Sequence, residues 1–272
     1  MIVMASTMVS RLLGFLRIAV IGSVFGASGA ADVLNAVFTI PNNLRKLMAE
    51  GALSSAFIPV LSRAIVAEDG QNRTRRIVGN ILALQFIVLA PLLVLCVVFS
   101  GPLTHTLLDF SEAGRMRDAA SLFQWIIHYL LLISVSAALM AVLNAHNKFV
   151  VPAITPILFS IFVIAAVVVF SRSLGIYAMA AGVLAGGVAQ VLFQAPRFMR
   201  LGYTFKPDLR FTNEDFRAVM RLWLPVVATA SIYSVNEQIA MRFATALDDG
   251  SASAMSNALV FWQLPSGFSR LP

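Results

Sequence analysis

Arg11, Arg17, Asp32, Arg45, Lys46 and Glu50 fall within the first two apolar stretches of a 272-residue chain. An arginine or lysine at the centre of a membrane-spanning helix costs about 2.5–3.5 kcal/mol on insertion scales, so such groups face a bundle interior or an aqueous cavity. Four basic groups left facing lipid would together cost about 10 kcal/mol. Four cations against two carboxylates leave a basic surplus, which favours an anionic ligand. Guanidinium forks match phosphate oxygens through paired hydrogen bonds. The chemistry expected is noncovalent binding of a phosphate-bearing molecule by Arg11, Arg17, Arg45 and Lys46. Asp32 and Glu50 are expected to pair with those cations or to take part in gating. An organic cation would require the opposite surplus.

Other chemistries find no support in the sequence. No phosphate-cradling glycine loop and no nucleophile elbow occurs, so the chain does not read as an enzyme. His105, His128 and His146 have no ligand spacing, and the single cysteine, Cys96, lies in the apolar run Leu92–Phe99; no metal site is expected. Asn72-Arg73-Thr74 matches a glycosylation sequon, but it falls in a loop placed on the cytoplasmic side.

The composition requires the elements that carry these charges to lie in lipid. Of all residues 59% are hydrophobic and 12% charged, whereas an average soluble domain is about 25% charged. A soluble enzyme is thereby excluded. The net charge of +7, from 20 Lys and Arg against 13 Asp and Glu, points to membrane topology and the lipid surface rather than to nucleic acid. A crossing needs about 20 apolar residues, and helices are predicted over 1–26, 30–65, 75–100, 119–146, 150–171, 174–200, 215–246 and 251–270. The fold class is an all-α polytopic membrane protein of about eight transmembrane helices. Residues 63–76 and 197–221 are rich in Arg and Lys while 27–31 and 247–251 have none, which places the N-terminus in the cytoplasm. Pro41 and Gly51 interrupt the second helix and mark a hinge. Ala178, Gly182 and Gly186 form a small-residue stripe suited to close helix packing.

Sliding the chain by 224 residues sets Phe38-Thr39-Ile40-Pro41 over Trp262-Gln263-Leu264-Pro265, Gly26 over Gly250 and Ala30 over Ala254. That overlay aligns the second helix with the eighth and implies repeats of six helices in parallel topology. The division expected is a first six-helix lobe over 1–201, a cytoplasmic linker over 202–214 and the start of a second lobe over 215–272. Twelve or more helices would complete two repeats, so the chain reads as a truncated product, fragment or split gene.

At Ser10-Arg11-Leu-Leu-Gly14-Phe-Leu-Arg17, at Phe25-Gly26-Ala27 with Ala31-Asp32, and above all at Pro41-Asn42-Asn43-Leu44-Arg45-Lys46-Leu47-Met48-Ala49-Glu50-Gly51-Ala52-Leu53-Ser54-Ser55-Ala56-Phe57-Ile58-Pro59, the chain resembles the MurJ/MviN family. These are the lipid II flippases of the multidrug/oligosaccharidyl-lipid/polysaccharide exporter superfamily. Weaker likeness follows at Leu143–Phe149, Pro152-Ala153 and Leu264–Gly267. The resemblance covers the N-terminal portion of a family member, which typically has fourteen helices.

The resemblance implies export of an undecaprenyl-pyrophosphate-linked peptidoglycan precursor from the inner to the outer leaflet of the bacterial cytoplasmic membrane by alternating access. It matches Arg11, Arg17, Arg45 and Lys46 to the family's cavity cations and Asp32 and Glu50 to its acids. Partners implied are the lipid-linked precursor, membrane lipids and other cell wall synthesis proteins, with no nucleic acid. No cofactor is implied beyond coupling to an ion gradient or the membrane potential. Three positions depart from the pattern: Ile18 stands where an Asp is common, Met241 precedes Arg242 where an Asp often assigned to ion coupling stands, and Val260 replaces an Arg. Glu237, one turn before Met241, is a candidate substitute for ion coupling. Open alternatives are a flippase for another polyprenyl-pyrophosphate oligosaccharide, a cation or drug exporter of the superfamily, and a non-transporting truncated protein.

Overall fold

The computed structural model describes residues 2–26, 28–48 and 52–268. Among them lie eleven helices: α1 (Ile2–Phe25), α2 (Gly29–Met48), α3 (Ala52–Ile65), α4 (Gly70–Val98), α5 (Ser100–Leu107), α6 (Ala113–Ile126), α7 (Tyr129–Ala145), α8 (Val150–Leu174), α9 (Tyr177–Arg200), α10 (Glu214–Thr245) and α11 (Ser251–Phe268). The described residues form no strand. Among the described residues six helical runs are long and apolar enough to cross a membrane: α1, α4, α6–α7, α8, α9 and α10.

The predicted second crossing, 30–65, comprises α2 and α3; Glu50 and Gly51 fall outside the described residues. The α2–α3 unit and α11 are not among the six apolar runs, and α2 departs from them through Asp32, Arg45 and Lys46. The helix expected over 119–146 starts earlier, at Ala113, and is divided by a turn at 127–128. The 100–118 loop contains the short helix α5.

Packing places α2, which carries Asp32, Arg45 and Lys46, inside the bundle against α6, α7, α10 and α11. Outside it, α8 and α9 form a tight hairpin, with α1 on α8 and α7 on α9. The small-residue stripe makes the hairpin possible. A Cβ on Gly182 would stand 2.9 Å from the Val163 Cα and 2.8 Å from the Ala166 Cβ, and one on Gly186 would stand 2.9 Å from the Phe159 ring.

Two sets of turns define the ends of the bundle. At the first, the buried Asp32 carboxylate accepts N–H bonds from Gly250 at 2.7 Å and Ser253 at 2.8 Å, satisfying donors at the start of α11. Beside it Arg115 forks onto Asp249 at 2.5 and 2.9 Å. The Thr245 hydroxyl accepts from the Asp109 N–H at 2.9 Å.

At the second end the 201–213 segment is strapped to α4. Asn80, fully buried, donates to the carbonyls of Asp208 at 2.6 Å and Arg210 at 3.1 Å. The Asp208 N–H reaches the Gly79 carbonyl at 3.0 Å. Asn213 then caps α10 by accepting from the Phe216 N–H at 2.7 Å, with Glu214 and Asp215 in the first turn favouring the helix dipole.

Two outcomes follow. Gly182→Leu drives a side chain into α8 backbone, and overpacking of this kind costs about 1–3 kcal/mol; its melting temperature in detergent falls, while Gly22→Ala, whose methyl meets nothing within 4 Å, does not lower it. An unchanged melt for Gly182→Leu would disprove the close approach. In Asp32→Ala the freed amides of Gly250 and Ser253 exchange hydrogen at least about tenfold faster, since a bond to a charged acceptor contributes about 1.5–3 kcal/mol; unaltered exchange would remove the cap from the account.

Candidate functional site

Where α1, α2, α9, α10 and α11 converge, they enclose a cavity of about 320 Å³. Arg17 comes from α1, Arg45 and Lys46 from the last turn of α2, and Glu237 from the C-terminal third of α10. Three cations against one carboxylate line it, so the basic surplus expected from the sequence is present in the cavity wall. The polar side of α2 continues upward through Asn42, Thr39 and Asn35, whose spacing follows the helical repeat.

Each cation has a distinct support. The Arg17 guanidinium lies 5.2 Å from the centre of the Phe159 ring, which in turn stacks on Tyr129 at 5.1 Å. A cation over an aromatic face keeps an attractive partner without surrendering its hydrogen-bond donors to a carboxylate. Arg45 donates from Nε and Nη2 to the Asn42 side-chain oxygen at 3.2 and 3.0 Å. Lys46 forms an ion pair across the cavity wall, Nζ to Glu237 Oε2 at 2.6 Å, with the Asn43 oxygen at 3.3 Å. Its ammonium also lies 5.4 Å from the Tyr233 ring centre. The Lys46–Glu237 pair therefore ties α2 to α10, and Asn43 adds a long bond to the Ser234 carbonyl at 3.4 Å.

The residues expected at the site separate into three groups. Arg17, Arg45, Lys46 and Glu237 meet in one cavity. Arg11, six residues before Arg17 on α1, is partly exposed and does not line it. Asp32 is spent on the backbone of α11 at the first end. Glu50 and Gly51 lie outside the described residues, and α2 runs through the buried Pro41 as continuous helix. Phe159, Tyr233, Asn42 and Asn257 are additional polar or aromatic participants. Only the polar stripe 35, 39, 42, 46 had a signature that periodicity could have revealed.

A larger opening of about 830 Å³ between α3, α7 and α8 is lined by groups such as Ile58, Met140 and Phe149 and by no charged residue, so it offers nothing to an anion. Among the described residues no three His, Cys, Asp or Glu side chains gather as metal ligands.

Comparison with known proteins gives a consistent result. The profile of the family described as "Lipid II flippase MurJ" matches residues 21–269. A probable lipid II flippase MurJ of Borreliella burgdorferi is 32% identical over 266 residues, covering 98% of this chain and 52% of that protein. One from Haemophilus influenzae is 32% identical over 258 residues, covering 91% and 50%. The chain thus spans about half the length of these curated relatives. A solved lipid II flippase MurJ in an inward closed conformation superposes with a TM-score of 0.79 at 26% identity, covering 97% of this chain and 55% of that one. An inward-facing multidrug resistance MATE transporter shares the fold, with a TM-score of 0.74 at 17% identity. With most of its length matched by the family profile and a cationic cavity set among its helices, this multi-pass membrane chain belongs to the lipid II flippase MurJ family.

Proposed function

We propose that the chain forms the first lobe and the beginning of the second lobe of a transporter that carries a polyprenyl-pyrophosphate-linked peptidoglycan precursor, lipid II, across the bacterial cytoplasmic membrane. The observation that carries this reading is the cavity in which Arg17, Arg45 and Lys46 outnumber Glu237. A pyrophosphate offers several anionic oxygens, and two guanidinium groups with an ammonium can engage them without any bond being made or broken. A cavity with this sign repels the organic cations that a drug exporter would carry. The division into lobes is 1–201 and 215–272, joined by 202–214.

Charge distribution supports an orientation. The second end carries Arg63, Arg73, Arg75, Arg76, Arg197 and Arg200, whereas the 26–28 and 246–250 turns of the first carry no Lys or Arg. With basic residues held on the cytoplasmic side, the end closed by Asp32, Arg115 and Asp249 faces outward. Substrate then enters from the cytoplasmic leaflet, and opening outward requires α11 to leave Asp32. Glu237 is engaged by Lys46 in this conformation. An arriving pyrophosphate competes for Lys46 and frees the Glu237 carboxylate, which is how binding at this site communicates with α10 and with any coupled ion.

Titration of the purified chain with undecaprenyl pyrophosphate, and with uncharged undecaprenol as control, tests the assignment. Arg17→Ala and Arg45→Ala each weaken pyrophosphate binding about tenfold to a hundredfold, the range expected for loss of a charge-assisted hydrogen bond of about 1.5–3 kcal/mol, and leave undecaprenol binding unchanged. Equal losses for both lipids, or none, would overturn the role. Glu237→Gln releases Lys46 and tightens pyrophosphate binding severalfold; weaker binding in this variant would refute the competition between carboxylate and substrate.

A further inference from the structure

A separate opening of about 460 Å³ lies at the second end, between the 146–149 turn and the last turns of α9. It shares no lining residue with the central cavity. Lys148, Arg197 and Arg200 line it together with Phe149, Val150 and Phe193, and all six are exposed. The turn fixes the lysine: Asn147 adopts φ 57°, and the Lys148 N–H returns to the Leu143 carbonyl at 2.8 Å. Arg197 and Arg200 stand three apart on α9 and share a face. None of the three cations forms an ion pair with a described carboxylate.

Depth makes this arrangement specific. The candidate spans of α8 and α9 are Val150–Leu174 and Tyr177–Arg200, so Lys148, Arg197 and Arg200 mark the boundary where hydrocarbon meets headgroups. Phe193 lies seven residues before Arg200, about 10 Å deeper along the helix at about 1.5 Å per residue. Cations at headgroup level above exposed apolar side chains at acyl level complement one molecule that is already present in the bilayer. An acidic polypeptide would satisfy the cations but would have to enter the hydrocarbon to cover Phe193, at the cost of its own backbone hydrogen bonds.

We propose that this groove is a binding site for an anionic phospholipid, with its phosphate held by Lys148, Arg197 and Arg200 and an acyl chain laid along Val150 and Phe193. The site holds the α8–α9 hairpin at a fixed depth and is distinct from the substrate cavity.

The test uses the full chain carrying Phe193→Trp, reconstituted in vesicles of phosphatidylcholine containing a minor fraction of phosphatidylglycerol, with bromine on the acyl chains of one lipid or the other. Quenching in excess of the chain without the new tryptophan reports which lipid occupies the groove. A basic group near an anionic surface favours an anion about fivefold, so phosphatidylglycerol is enriched at the introduced indole by at least that factor over its share of the bilayer. Replacing Lys148, Arg197 and Arg200 together by Gln abolishes the enrichment, whereas replacing the exposed Arg63, Arg217 and Arg221 by Gln preserves it. Equal quenching by both lipids in the otherwise unaltered chain overturns the proposal, and that measurement does not depend on how the triple variants fold. Enrichment that survives the groove variant, or is lost equally in both variants, overturns it as well. So does binding of poly-glutamate to vesicles of phosphatidylcholine alone without any enrichment of phosphatidylglycerol, which would assign the groove to an acidic polypeptide.

Discussion

The cost of holding charge away from water governs the arrangement of this molecule. An ammonium or guanidinium in hydrocarbon is tolerated when it faces a polar interior, and α2 concentrates two such groups in Asn42-Asn43-Leu44-Arg45-Lys46. The bundle accommodates them by surrounding α2 with α6, α7, α10 and α11, while α1, α4 and α8 keep large apolar groups such as Leu12, Val94 and Val169 exposed. Within the interior each cation receives a different support: a ring face for Arg17, an amide oxygen for Arg45, the Glu237 carboxylate for Lys46. Three cations and one carboxylate line the cavity, so its wall retains positive potential. A fully neutralised wall would be more stable and would bind no anion.

The bonds that close the two ends differ in energetic weight. Arg115–Asp249 is open to solvent on the aspartate side, 57% exposed, and exposed ion pairs contribute about 0–1 kcal/mol. Asp32, at 3% exposure, holds two backbone N–H groups at the start of α11, and an unpaired buried donor costs about 1–3 kcal/mol. The closed first end therefore depends on Asp32 more than on the ion pair beside it. At the second end Asn80 plays the equivalent part for the 201–213 segment through carbonyl acceptors.

These differences decide what could be read from the sequence. The cations of the cavity were legible because charge inside an apolar run is improbable for any other reason, and their meeting place followed from the helices that carry them. Glu237 was legible only as an acid near a departure from the family pattern; that it pairs with Lys46, 191 residues away, is a property of packing. Asp32 resembled the other buried charges, yet its partners are backbone amides of residues 250 and 253, and a backbone amide has no signature in a sequence. For the same reason the sequence of 202–214, read as a cytoplasmic linker, carries no sign of its bonds to Gly79 and Asn80. The turn at 127–128 was illegible because Ile126-Ile127-His128-Tyr129 contains neither Gly nor Pro, and the earlier start at Ala113 was hidden by Arg115, Arg117 and Asp118, which suggested a loop.

The overlay of the chain on itself by 224 residues bears on the asymmetry of the cavity. Gly26 and Gly250, superposed by the shift of 224 residues, both take positive φ, 69° and 90°, ahead of α2 and α11; only glycine adopts this geometry readily. The same shift pairs Arg17 with Met241 and Asn35 with Leu259, and all four side chains line the cavity. In each of these two pairs the earlier residue is polar and the later one apolar. Asp32 is paired with Ser256, which lines the cavity while the carboxylate caps α11. The capping runs from α2 onto the start of α11. The cations Arg17, Arg45 and Lys46 stand on α1 and α2 and the Glu237 carboxylate on α10, so any displacement of α10 from α2 separates the carboxylate from the cations. A ligand that prefers one of those spacings shifts the balance between them, and such differential affinity is the physical requirement for coupling occupancy to conformation.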